Sequence, residues 1–276
     1  MYVQIQCMSQ IYSNKALISG GANGIGKLMG LSLLEKGLDT LVIWDMNEKL
    51  LEETTKEFTN LGFKVMPYLV NVMNTEQVIS TAALVKEAVG TIDILINNAG
   101  IIVGKNFVEH THQDIDNTMA INANALMHIA KEFLPDMISQ NSGHIVNIAS
   151  AAGMVSNPKM SVYVASKFAV VGWSDSLRLE MEEAKTNVKI TTVTPFYIST
   201  GMFDGVQSRF IPIVKPEVAV QKIISGIEKD SIYVRMPGIV YWVPFIKGLL
   251  PTRIFDLVVG KWLGMHSSMK QFKGRN

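Results

Sequence analysis

The feature that most constrains this chain is an alternation of short apolar runs with longer segments of helical period, sustained over most of its 276 residues. Ala16–Ser19, Thr40–Trp44, Lys64–Val70, Ile92–Ile96, His144–Ala149 and Val188–Val193 have strand length. Between them, helical patterns run to about Lys36, then over Glu48–Asn60, Glu76–Val89, Asp114–Gln140 and Ser161–Ala184. Strands that are apolar throughout, rather than alternating, belong in a parallel sheet covered on both faces. Right-handed crossovers then give an α/β, doubly wound (Rossmann-type) sheet in a single domain, with its ligand site at the carboxyl ends of the strands. After the sixth run the alternation loosens. Residues 195–215 hold Phe196, Tyr197, Met202, Phe203 and Phe210 in irregular order, which suits a mobile loop over a site. Pro216–Lys229 resumes a helix, and Ile232–Val234 reads as a seventh strand.

Composition excludes several functions. Twenty-five basic residues against twenty-four acidic ones leave a net charge of +1, with no electrostatic reason to expect nucleic acid. Cys7 is the sole cysteine, so neither an internal disulfide nor a cysteine-rich zinc site can form. The five histidines include one close pair, His110 and His112, and no HExxH spacing, so no metal is expected. Residues 1–14 carry neither a basic start nor a continuous apolar stretch, and no run approaches the ~18 apolar residues that span a bilayer. The expected location is the cytoplasm. Charged residues are only 18% of the chain and mean hydropathy is +0.22, so the core is large or some apolar surface has a use.

Ser19-Gly20-Gly21-Ala22-Asn23-Gly24-Ile25-Gly26 follows the first strand and opens the first helix. Without a Cβ, glycine lets the backbone approach a pyrophosphate closely, and the helix N-terminus offers N–H groups and partial positive charge. Taken alone, the turn also reads as a tight strand-to-helix connection. Asp45, nineteen residues after Gly26, ends the second strand, where dinucleotide folds place a carboxylate on the adenosine ribose. It would repel the 2′-phosphate of NADP by roughly 1–4 kcal/mol per charge pair. The turn from Gly20 to Gly26 has no Lys or Arg to attract that phosphate, so NAD is the expected cofactor.

Tyr163 and Lys167 are four residues apart and share one face of a helix. Ser150 lies at the carboxyl end of the fifth strand, on the ligand side. Hydride transfer from an alcohol needs a group that takes the hydroxyl proton. A free tyrosine, with a pKa near 10, is too weakly ionised for that at neutral pH. A nearby ammonium is expected to lower that pKa, and the serine hydroxyl to hydrogen-bond the substrate oxygen.

Together these residues resemble the short-chain dehydrogenase/reductase family over about residues 14–235. The family's T-G-x-x-x-G-x-G turn matches with Ser19 for threonine. Its N-N-A-G motif matches Asn97-Asn98-Ala99-Gly100, which in the family supports the sheet and borders the cofactor. The resemblance makes Asn122 the family's fourth catalytic residue beside Ser150, Tyr163 and Lys167, holding a water of the proton relay. It implies that Lys167 also bonds the nicotinamide ribose, and that Pro195, Ile198 and Thr200 lie by the nicotinamide. Asn71-Val72 stands where Asp-Val is usual near the adenine, and Phe196 replaces the glycine after Pro195, reshaping the substrate entrance. Val42-Ile43-Trp44-Asp45, Gly143-His144-Ile145-Val146 and Ala149-Ser150-Ala151-Ala152-Gly153 are most similar to the retinol and 17β-hydroxysteroid dehydrogenase branch. That branch acts on lipid alcohols, and its animal members carry an N-terminal membrane anchor with no counterpart in residues 1–14. The family also implies a homo-oligomer.

The leading expectation is therefore an NAD-dependent dehydrogenase of a hydrophobic alcohol or its carbonyl (retinoid, steroid or fatty alcohol). An NADP-dependent 3-oxoacyl thioester reductase and a non-catalytic dinucleotide sensor are the alternatives. Residues 236–276 form an apolar extension with Tyr241, Trp242, Phe245, Leu249, Leu250, Ile254 and Trp262. Three uses compete for it: a cap over a lipid-like substrate with peripheral membrane contact, a subunit interface, or added core.

Overall fold

The computed structural model describes residues 10–274 apart from 209 and 263. Cys7 and most of the stretch read for a leader lie outside the described residues. Among the described residues, seven strands make one sheet: β1 (Lys15–Ser19), β2 (Thr40–Asp45), β3 (Val65–Leu69), β4 (Ile94–Asn97), β5 (Gly143–Ile148), β6 (Val188–Pro195) and β7 (Tyr233–Met236). Their order is β3-β2-β1-β4-β5-β6-β7, and every pairing is parallel.

The unbroken apolar strands are explained by burial on both sides. Ile18, Ile43, Ile96 and Val146 face helices α1 (Gly24–Glu35) and α7 (Pro216–Glu228), where Met29, Leu33 and Ile223 complete one core. Their neighbours Leu17, Val42, Leu95 and Ile145 face α3 (Thr75–Val89), α5 (Ala125–Ser139) and α6 (Ser161–Glu183), with Val78, Phe133 and Leu177. Each fully buried large side chain stabilises the fold by roughly 1.5–3 kcal/mol. The chain winds outward in both directions from the neighbouring strands β1 and β4. Their carboxyl ends therefore diverge into a crevice.

Most expected boundaries fall within two residues of the observed ones, and α2 (Glu48–Asn60) matches in full. The pattern read as one helix over Asp114–Gln140 is an exception. Here α4 (His112–Met119) starts at a capping box between Thr111 and Asp114, and a wider π turn at Ala120–Asn124 leads into α5. Residues 195–215 also differ from an open loop: Val206, Ile211 and Val214 are buried, and Ile198 pairs with Val214. Beyond β7 the tail folds into α8 (Val243–Leu249), α9 (Thr252–Phe255) and short irregular turns. It joins the 195–215 segment in a third apolar cluster, separate from the two sheet faces, that contains Tyr163, Tyr197, Phe255 and Met269. No helix among the described residues is long and apolar enough to cross a membrane.

Candidate active site

The glycine turn is held open by close contacts that only glycine allows. A Cβ on Gly26 would stand 2.1 Å from the Gly20 carbonyl oxygen, so α1 packs directly on the turn. Gly20 (φ +65) and Gly24 (φ +57) adopt left-handed backbone that L side chains avoid. Asn23 caps α1, its side-chain oxygen accepting from Gly24 N at 2.6 Å. The Ser19 hydroxyl accepts from the backbone N–H groups of Asn98 (3.1 Å) and Ala99 (3.2 Å). Asn98 Nδ2 donates back to the carbonyls of Ser19 (3.1 Å) and Gly20 (2.8 Å). The stretch after β4 is thereby knitted to the turn after β1.

The turn borders a cleft of about 330 Å³ at the carboxyl ends of the strands. Gly20, Asn23, Gly24, Ile25, Asp45, Asn71 and Val72 line one end. Asn98, Ala99, Gly100, Ser150, Tyr163, Lys167, Pro195, Ile198 and Thr200 line the rest. Three expected site residues do not line it: Ser19, Gly26 and Asn122, each of which acts from behind the wall. Residues not singled out for the site also line it, among them Met46, Asn47 and Leu50, as do Met202 and Phe203 of the loop expected over it. Met46 and Asn47 follow the strand-ending Asp45, and that adjacency was the available signal. Nothing in the spacing of Met202 and Phe203 marked them beyond a loop of aromatic residues.

Asp45 is anchored, with one carboxylate oxygen accepting from Ala22 N (3.1 Å) and the other from Asn47 N (3.0 Å). Asn71 Oδ1 accepts from Met73 N at 3.1 Å, which turns the chain after β3. Among the described residues lining the cleft, Asp45 is the single carboxylate and Lys167 the single cation.

Ser150 caps the short turn Ala151–Gly153, its hydroxyl accepting from Ala152 N at 3.1 Å. A Cβ on Gly153 would meet the Lys167 carbonyl at 2.7 Å, so this turn rests on α6 itself. That contact sets the serine beside the helix bearing Tyr163. Lys167 is buried, and its ammonium donates to the Ile148 carbonyl at 2.9 Å, 5.7 Å from the centre of the Tyr163 ring. Burial lowers its pKa to about 8, which still leaves it charged at neutral pH. The expectation that Tyr163 is shifted down is not met. Burial pushes this phenol up, and a hydrogen bond with Ser150 only partly offsets that. Desolvation dominates because the whole ring is buried.

Asn122 sits in the π turn, fully buried. Its Oδ1 accepts from Ile101 N (2.8 Å), and its Nδ2 donates to Ile101 O (2.9 Å) and Ser166 Oγ (3.1 Å). Both amide donors are thus spent on protein, clamping the chain beside Gly100. A Cβ at Gly100 would lie 3.3 Å from Asn122 Oδ1 and 3.8 Å from Lys167 Nζ.

Residues 14–209 match the family model of short chain dehydrogenases. This chain belongs to the short-chain dehydrogenase family. The dehydrogenase is 36% identical over 264 residues to mouse epidermal retinol dehydrogenase 2, covering 94% of this chain and 85% of that protein. It is 34% identical over 256 residues to estradiol 17-beta-dehydrogenase 11 of Pongo abelii, covering 88% and 85%. Among solved structures, a short chain dehydrogenase/reductase from Burkholderia phymatum in complex with NAD superposes with a TM-score of 0.80. The identity is 25%, over 92% of this chain and 97% of that one. A short chain dehydrogenase from Burkholderia cenocepacia J2315 in complex with NADP gives 0.76 at 26% identity, over 91% and 98%. The dehydrogenase is thus a hydride-transferring oxidoreductase that uses a nicotinamide dinucleotide.

Proposed function

We propose that this dehydrogenase uses NAD to oxidise a hydrophobic alcohol (a retinoid, steroid or fatty alcohol), or to reduce its carbonyl. The observation that carries this is one continuous cleft running from Asp45, past the glycine turn, to Tyr163, where Phe196, Met202 and Phe203 form an apolar wall. The residues fit a dinucleotide: the turn presents the α1 N-terminus and has no side chain at Gly20 or Gly24 to block a pyrophosphate. When bound, the nicotinamide accepts or gives the hydride. In the oxidation direction Tyr163 must be in its phenolate form: the alcohol's hydroxyl proton passes to that Oη, the C=O bond forms, and the C–H bond breaks with its electron pair leaving as hydride. Ser150 Oγ hydrogen-bonds the substrate oxygen where charge develops. Lys167 supplies positive charge beside the phenol, and Asn122 fixes the Gly100–Ile101 backbone against it.

The retinol and estradiol dehydrogenases among the relatives support the lipid alcohol as substrate. Asp45 and the absence of another cation among the described cleft residues support NAD over NADP by about one to three decades of affinity. Titration calorimetry with both dinucleotides, followed by NAD reduction with retinol, steroid, long-chain and short-chain alcohols, tests both parts. Equal or tighter NADP binding overturns the first part. Equal specificity for short and long alcohols overturns the second.

Two partners belong to this reading. One is a homo-oligomer built through the long helices, on which Ile138, Phe168 and Leu179 are exposed. The other is a peripheral membrane contact by the tail. Trp242, Phe245, Leu249, Ile254 and Trp262 are exposed there, and six basic residues beyond Met236 face only Asp256 as an acid.

A further inference from the structure

A column of aromatic rings leads from Tyr163 away from the cleft. The Phe203 ring meets Tyr163 edge-on at 6.1 Å between centroids, and Tyr197 meets Phe203 at 5.0 Å. Phe203 lines the cleft, whereas Tyr197 is buried behind it. The Tyr197 hydroxyl lies 2.8 Å from Ser268 Oγ. Asn157 Nδ2 donates to both, at 3.3 and 2.9 Å. The three residues are only 6%, 2% and 8% exposed. Asn157 Oδ1 is buried without a partner among the described residues. Buried hydroxyls are costly unless paired, so the bonds of Tyr197 and Ser268 in this triad favour one way of docking three segments remote in sequence. These are the turn before α6, the loop after β6 and the end of the chain.

Backbone contacts repeat the pinning. Gln207 N donates to Ser268 O (3.1 Å) and Lys273 N to Asp204 O (3.0 Å). On the opposite side, the Phe272 ring lies on Gly104, where a Cβ would stand 2.2 Å from it. Residues 268–273 therefore tie together the loop after β4 and the loop that carries Met202 and Phe203 into the cleft.

We infer that this end of the chain is a clasp. Ser268, acting through Tyr197 and Asn157, is a positioning residue that sets Phe203 against Tyr163 and so decides how an extended apolar substrate is held. The inference rests on the lipid-alcohol reading for its substrate. A short alcohol needs only Ser150 and Tyr163, whereas a long one must also lie along the wall that the clasp fixes.

Ser268→Ala and Tyr197→Phe each remove the shared Tyr197–Ser268 bond and one bond from Asn157, and Ser268→Ala also removes the bond to the Met265 carbonyl. Each is expected to raise KM for decanol by at least about threefold to tenfold, the range for the shared Tyr197–Ser268 bond alone. NAD affinity and kcat for a short alcohol stay unchanged. Because both variants lose the same bond, their effects combine less than additively in the double variant. A second readout does not depend on substrate. Amide hydrogen exchange across residues 201–207 should rise in Ser268→Ala, and also in Gly104→Val, which displaces Phe272 without touching the triad. Exchange in β1 and β4 should not change. Unaltered exchange at 201–207 in both variants overturns the clasp. Faster exchange with an unchanged KM for decanol, or equal losses on short and long alcohols, overturns its part in specificity. If the unaltered enzyme shows no preference for long alcohols, the substrate reading fails by itself, and the exchange measurement still decides the clasp.

Discussion

Tyr163 and Lys167 illustrate how far a pair of residues determines chemistry at the scale of single side chains. Their spacing puts them on one face of α6, and the fold then buries both. Burial acts on them in opposite senses, raising the phenol and lowering the ammonium, because it penalises whichever form is charged. Tyr163 therefore holds its proton firmly in the protein alone. It is thus protonated, as carbonyl reduction requires, and proton uptake in the oxidation direction needs positive charge gathered at the site. Tyr163→Phe should lower turnover by the ~10²–10⁴-fold typical of a lost general acid/base, while calorimetric NAD affinity stays within about twofold. Near-normal turnover in that variant would assign the proton to another group. Lys167→Ala should reduce both turnover and NAD affinity, since the family resemblance gives Lys167 a ribose contact as well.

Elements set the frame for those side chains, and β5 with β6 gives a measurable case. His144 on β5 is buried, with its Nε2 2.7 Å from Thr191 Oγ1 on β6. Thr191 donates onward to the Ser231 carbonyl at 2.6 Å, and the imidazole Nδ1 lies 3.8 Å from an Asp230 carboxylate oxygen. Burial lowers the His144 pKa to about 4, with Asp230 opposing the shift and Lys189 reinforcing it. An unfolded histidine takes up its proton near pH 6.5, so between 6.5 and 4 the unfolded chain binds more protons than the folded one. The stability from the neutral ring is complete above pH 6.5 and is lost as pH falls toward 4, by about 3 kcal/mol at most. Urea unfolding from pH 7 to 4.5 should show this acid slope. In His144→Gln the slope should be smaller by about one proton's worth, and an identical slope in the variant would remove His144 as its source.

On the scale of the whole molecule, the described residues form two sheet-face cores, a small cluster of Leu126, Ala149 and Val170, and an apolar cluster laid over the mouth of the cleft. The tail contributes to the cluster over the cleft and to none of the others, so it is separable in energetic terms. A protein ending at residue 236 should stay folded and bind NAD, yet lose activity on long-chain alcohols more than on short ones. Circular dichroism and calorimetry establish folding and binding, and paired kinetics on the two alcohol classes decide the cap. Collapse of the shortened protein would instead assign residues 237–276 to the core.

By itself, the sequence determined the parallel α/β sheet, the glycine turn, Asp45 at a strand end, and the grouping of Ser150, Tyr163 and Lys167. Each of these follows from local rules: unbroken apolar runs, glycine's backbone freedom, strand ends and the helical repeat of 3.6 residues. Asn122 was legible as a family position, but its clamp on Ile101 was not, because a π turn depends on what packs around it. The direction of the Tyr163 shift depended on burial, which no spacing encodes. Phe203, Tyr197, Asn157 and Ser268 are up to 111 residues apart in the chain, and only the tertiary structure brought them together beside Tyr163. Contacts between segments so remote depend on how the two sheet faces and the tail pack together, and that is a property of the folded whole.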